Sequence, residues 1–106
     1  MPFLDAAGML RREPFAGYAG RFIHSTTMTV ADWTIAQDAV FPEHAHLHEQ
    51  VMMVVEGRFE LTIDGDTRVL HAGDVAVIPS HARHAGRAMT PCHVIDVFHP
   101  VRDDYR

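Results

Sequence analysis

The stretch Phe41-Pro42-Glu43-His44-Ala45-His46-Leu47-His48-Glu49-Gln50, continuing as Val51-Met52-Met53-Val54-Val55-Glu56-Gly57, decides how the chain is read. Residues two apart in an extended strand project to one face. His44 and His46 can therefore grip one ion from one strand. Imidazole nitrogen suits zinc, nickel, iron or copper, and the remaining ligands must then come from neighbouring strands. Gln50 opens the next strand and can present its amide oxygen. Downstream, Gly73 is followed six residues later by Pro79 and five later again by His84, where a returning strand would close the site. With nine histidines in 106 residues, chance His-x-His pairs are common, so spacing rather than number carries the assignment. His48 shares the parity of His44 and His46, but a turn before Gln50 should break that register and leave it beside the site or exposed. His24, His71, His81, His93 and His99 read as structural or solvated.

Outward from this stretch the chain reads as short strands separated by turn residues. Phe22 to Val30 is rich in β-branched residues, Trp33 to Phe41 leads up to the histidines, and Gln50 to Val55 reads as a buried strand closed by Gly57. Phe59, Leu61 and Ile63 alternate with polar partners, and Asp64-Gly65 makes a tight hairpin into Thr67 to Leu70. Ala72-Gly73-Asp74 is another turn, before Val75 to Ile78. Cys92 to Phe98 is the last strand, stopped by Pro100. No segment keeps helical periodicity for three turns, so the pattern indicates an all-β sandwich or barrel. Residues 1–20, with Pro2, Gly8, Pro14, Gly17 and Gly20, are expected to form an irregular lead-in or edge strand, and residues 21–106 the barrel.

A chain of 106 residues is one domain, able to bury roughly 60–70% of its unfolded surface. Apolar residues make up 47%, in runs far shorter than the ~20 a membrane helix needs. The net charge is −5 and no cationic run occurs, which argues against nucleic acid as a partner. The N-terminus lacks the basic-then-apolar order of a secretory signal, and a single cysteine, Cys92, excludes an internal disulfide. These features lead us to expect a cytoplasmic protein, with Cys92 as a small buried hydrophobe.

The two histidine segments resemble the paired signature of the cupin family. His44, His46, Gln50 and Gly57 match the first half, with glutamine in the slot for glutamate; Gly73, Pro79 and His84 match the second. Asp38 and His81 stand where the signature has glycine, and Ala88 where it has asparagine. The resemblance implies a double-stranded β-helix, the cupin or jelly-roll barrel, as a single domain. It also implies one divalent transition metal ion (zinc, nickel, iron or manganese) on His44, His46, Gln50 and His84, and a homodimer paired through sheet edges. Three neutral imidazoles and a neutral amide would leave the ion's charge uncompensated, which favours an anionic ligand.

On the last strand, Cys92, Val94, Asp96 and Phe98 share one parity. If that face points inward, Asp96 is a carboxylate among apolar neighbours, with a raised pKa and a candidate role as acid or base. Arg102 follows Pro100 and could hold a substrate carboxylate bidentately. Pairing of Asp96 with a surface arginine and a solvated Arg102 is the alternative that spacing leaves open.

A longer pattern runs from His44-x-His46-x-His48-Glu49-Gln50 through Glu56-Gly57-x-Phe59-Glu60-Leu61-Thr62-Ile63-Asp64-Gly65 to Asp96-x-Phe98-x-Pro100-Val101-Arg102-x-Asp104. It is similar to the pectin-degradation cupins, which linearise 4,5-unsaturated uronates from pectin and alginate. That similarity implies a metal-dependent enzyme giving the open-chain keto form, with Asp96, Phe98 and Arg102 supporting catalysis on a small anionic substrate. A cupin dioxygenase with a redox metal and a non-catalytic binder of small acids are the competing expectations.

Overall fold

The computed structural model describes residues 3–106. Ten strands follow one another: β1 (Arg12–Phe15), β2 (Tyr18–His24), β3 (Thr29–Ile35), β4 (Val40–His44), β5 (Glu49–Glu56), β6 (Phe59–Ile63), β7 (Asp66–Leu70), β8 (Val75–Ile78), β9 (His84–Ala88) and β10 (Cys92–His99). Among the described residues the only helical turns are the 3-10 segments Ala6–Gly8 and Asp103–Tyr105. A six-stranded sheet has the order β1-β2-β3-β10-β5-β8 and a four-stranded sheet the order β4-β9-β6-β7. All pairings are antiparallel. The two sheets form a single-domain, all-β double-stranded β-helix, and among the described residues no helix is long and apolar enough to cross a membrane.

Alternation builds the interior. Thr29, Ala31, Trp33 and Ile35 of β3 are buried, as are Cys92, Val94, Asp96 and Phe98 of β10, while the residues between them face outward. The even parity expected to point inward on the last strand does so. Val94 lies opposite Trp33 and Asp96 opposite Ala31, which puts an indole next to a carboxylate inside the barrel.

Two expected strands are interrupted. Phe22 to Val30 breaks at Ser25, whose hydroxyl accepts the Met28 amide at 2.9 Å, while its own amide donates to the Met28 carbonyl at 2.8 Å. The side chain thus supplies a turn that competes with the strand. Trp33 to Phe41 breaks at Ala36–Ala39, where Asp38 takes a left-handed φ of 68°. The expected boundary after residue 20 falls inside β2: β1 is the sheet edge, and Tyr18 is already core, 3% exposed. The Asp64-Gly65 hairpin joins Ile63 to Asp66 with φ values of 46° and 83°, the left-handed pair such a turn needs.

Candidate metal centre

Backbone pairing places the first two imidazoles. His44, the last residue of β4, is in register with His84, the first of β9, and their rings lie 4.0 Å apart between centroids. The expectation that His44 and His46 share a strand does not hold. After His44 the chain must leave the four-stranded sheet to reach β5 in the other, so residues 45–48 form the crossing loop and His46 stands on it. That loop is pinned by the turn after Pro79. The His81 amide donates to the His46 carbonyl at 2.8 Å, and the Ser80 hydroxyl to the Leu47 carbonyl at 2.5 Å. His46 is thereby returned to the cluster, 4.9 Å from His84 and 5.5 Å from His44 between ring centroids.

Each ring is oriented by its own neighbourhood. Nδ1 of His44 donates to the Pro42 carbonyl at 2.8 Å, that of His46 to the His48 carbonyl at 2.9 Å, and that of His84 to the Ala82 carbonyl at 2.9 Å. A carbonyl only accepts, so the proton sits on Nδ1 and the lone pair on Nε2. One ligand atom from each ring falls within 4.8 Å of the other two. The Nε2 atoms of His46 and His84 are buried with no hydrogen-bond partner. Unpartnered lone pairs converging in a buried place are costly unless something electropositive receives them, so the site suits a cation. Burial, reinforced by the Arg102 charge, pushes His46 down to about 4, and burial also lowers His44 and His84. The rings are neutral ligands at neutral pH.

Gln50 is 6% exposed and lines the same cleft as His44 and His84. Its Nε2 donates to Asp96 Oδ1 at 2.9 Å, and Trp33 Nε1 donates to Asp96 Oδ2 at 3.0 Å. Asp96 is therefore neither a lone carboxylate nor the partner of a surface arginine. Burial pushes it up to about 6, against the lowering effect of its two donors and of Arg102. Arg102 is no solvated tail either. At 8% exposure, its guanidinium lies over the rings of Phe98 and Tyr105, 4.7 and 4.3 Å from their centroids. The expected bidentate edge is already used: Nε and Nη2 bind the Asp104 carboxylate at 3.0 and 2.7 Å.

The cleft, counting its open mouth, holds about 470 Å³ and is walled by Phe41, Phe98 and Tyr105 beside the polar groups. His48 is half-buried, with its ring 5.5 Å from that of His46, outside the converging trio. Cys92 is buried and its thiol is raised by burial, as an inert residue should be. Two cleft residues escape a reading by spacing. Trp33 reads as ordinary core, although a buried indole needs an acceptor and a buried carboxylate needs donors. Tyr18, in the expected lead-in, turns a buried hydroxyl with no partner into the cleft.

Comparison with known proteins identifies the family and agrees with the fold. The model of the Cupin domain matches residues 31–98. The pectin degradation protein KdgF of Dickeya dadantii is 33% identical over 72 residues, 66% of this chain and 66% of that protein, just under two thirds of its length. Quercetin 2,3-dioxygenase of Bacillus subtilis is 43% identical over 49 residues, 44% of this chain but 14% of that protein. Among solved structures, KdgF from Halomonas sp. superposes with a TM-score of 0.93 at 30% identity, covering 100% of this chain and 99% of that one. An RmlC-like cupin from Shewanella frigidimarina gives 0.94 at 29% identity, covering 100% and 96%.

Proposed function

Since the chain belongs to the cupin family, we propose that it is a metal-dependent enzyme of pectin degradation that opens 4,5-unsaturated uronate monosaccharides to their keto form. The observation that carries this reading is a buried carboxylate, Asp96, in the same cleft as His44 and His84, two of the three converging imidazoles. The likeness to the pectin degradation protein KdgF supports a role in pectin degradation, and the longer sequence pattern from His44 to Asp104 suggests unsaturated uronates as the substrate. A divalent ion on His44, His46, His84 and Gln50 would supply Lewis-acid stabilisation of negative charge on the sugar oxygens. Ring opening breaks the bond between C1 and the ring oxygen. The anomeric hydroxyl loses its proton as C1 becomes an aldehyde, and C4 gains one as C5 becomes a ketone. The change is an isomerisation, so no oxidant is consumed.

In this reaction Asp96 takes the anomeric proton and returns it at C4. Its pKa of about 6 lets it act as a base at neutral pH and leaves its conjugate acid strong enough to give the proton back. Phe98 packs the cleft and excludes water from the enol. Arg102 faces the substrate carboxylate with Nη1, since Asp104 occupies its other edge.

The test follows the ultraviolet absorbance of an unsaturated uronate with metal-loaded protein. We expect loss well above the spontaneous rate, equal with and without oxygen, and about 100-fold slower for Asp96→Asn at saturating metal. Loss at the spontaneous rate would end the proposal. Turnover that required oxygen would favour a dioxygenase, the activity named for the quercetin relative.

We propose further that the protein works as a homodimer. On the outer face of the six-stranded sheet, Ile23, Val30, Val97, Val51 and Val77 lie opposite one another in one row across five strands, and Ile95, Met53 and Val75 in the next. A solvated sheet face is ordinarily polar. Met53, Val55, Val75 and Val77 are 41–57% exposed, and the band presents on the order of several hundred Å², about as much as the largest patch of a monomer. The adjoining Arg11 and Arg21 both reach Asp32, at the margin of the band. A second copy of the same apolar band suits it.

A further inference from the structure

We propose that Gln50 and Asp96 form an obligate donor–acceptor couple, anchored by Trp33, that turns the amide oxygen of residue 50 toward the imidazole trio. Trp33 and Asp96 are thereby positioning residues of the metal centre. The inference rests on the metal-site reading and is independent of the substrate.

The indole N–H of Trp33 can only donate, so Oδ2 of Asp96 must accept. The carboxylate's other oxygen is equally an acceptor, and it faces the side-chain tip of residue 50 at 2.9 Å. An amide carries its donor and its acceptor on opposite sides of one carbon. With Nε2 committed to Asp96, Oε1 is turned away, and no protein hydrogen bond reaches it among the described residues. Trp33, Gln50 and Asp96 are 2%, 6% and 7% exposed, so water does not readily replace a lost partner. A glutamate at position 50 would set one carboxylate against another. This accounts for glutamine in a slot that the resembled signature gives to glutamate: the residue at 50 is dictated by the one at 96.

The logic can be reversed. Gln50→Glu alone opposes two acceptors. Asp96→Asn alone has one oxygen for two donors, so its NH2 faces a donor. The double variant restores complementarity, because the introduced asparagine accepts from Trp33 and donates to the introduced glutamate, and the total charge is that of the wild type. All four full-length proteins are compared in two ways: thermal midpoint after chelator treatment at neutral pH, and Zn²⁺ affinity by competition with a chromophoric chelator. We expect each single variant to lose roughly 5–10 °C. We expect Asp96→Asn to bind Zn²⁺ at least about 10-fold more weakly, the scale of losing a partner that orients a ligand. The double variant should recover most of both losses. Additive losses in the double variant, or a double variant that fails to fold, would overturn the inference. Single variants that fail to fold beside a double that folds would support it. Failure of the wild type to bind Zn²⁺ would overturn the metal reading, and with it the orienting role, while the midpoints still decide the pairing. The double variant lacks the Asp96 carboxylate and should remain inactive on uronates, which keeps this result separate from the proposed reaction.

Discussion

His46 and His84 illustrate how a small domain keeps an imidazole ready for a cation. Each spends its Nδ1 proton on a carbonyl within two residues of itself, and the fold buries the other nitrogen with nothing to bind. That arrangement has a cost visible in pH. Burial holds His44, His46 and His84 below their ordinary value, His46 at about 4. As pH falls from about 6.5 toward 4, the unfolded chain takes up protons that the folded rings refuse, so stability falls. Asp96, raised to about 6, runs the other way, because there the folded state takes the proton first and gains on acidification. His48 is lowered by burial as well, so four groups oppose one in the same window. The metal-stripped protein is therefore expected to melt progressively lower between about pH 6.5 and 4.5. Thermal melts in chelator check it, and a midpoint that stayed flat or rose on acidification would contradict the burial argument. The three histidines that converge are readable from residue types at their spacing. The direction of each ring is not, since it depends on carbonyls that only the folded backbone supplies.

At the scale of strands and turns, the positions matched by resemblance have a backbone explanation. Gly57 and Gly73 have φ of 93° and 92°, left-handed values that favour glycine. Asp38 and His81, where the resembled signature has glycine, are left-handed as well, at 68° and 65°. Aspartate tolerates this conformation better than histidine does. His81 is exposed, and only its backbone binds the His46 loop. His81→Gly is accordingly expected to stabilise the protein by about 0.5–1 kcal/mol. Gly57→Ala should do the opposite, costing about 2 kcal/mol or more, because an added Cβ would meet the Pro91 carbonyl as well as strain the turn. Denaturant titration of both variants reads the contrast, and equal effects would show that backbone conformation is not what these positions select. The alternation of β10 was legible in the sequence because it has period two. The breaks at Ser25 and Ala36–Ala39 were not: Thr26 and Thr27 carry the β-branched run through the first, and the second has neither glycine nor proline to mark it, its left-handed residue being Asp38.

For the molecule as a whole, two sheets make a cleft on the inside and an apolar band on the outside. Val77 lies at the end of the longest row of that band, 57% exposed, on the opposite face of the sheet from its cleft-lining neighbour Ile78. Val77→Arg is expected to convert a dimer into a monomer while leaving Zn²⁺ affinity unchanged. Sedimentation velocity at several concentrations distinguishes the outcomes, and a wild type that sediments as a monomer throughout would remove the dimer from the proposal.

Residue order was enough to settle the β architecture and to single out the three histidines that converge, because strand periodicity, turn residues and histidine spacing are local properties written along the chain. It could not reveal that His46 reaches its partners from a loop, that Asp104 already holds Arg102, or that Trp33 and Gln50 share one carboxylate. The first depends on the turn after Pro79, the second on a local pair whose arginine the fold buries, and the third on β3, β10 and β5 becoming neighbours in one sheet, which brings side chains up to 63 residues apart within hydrogen-bond reach.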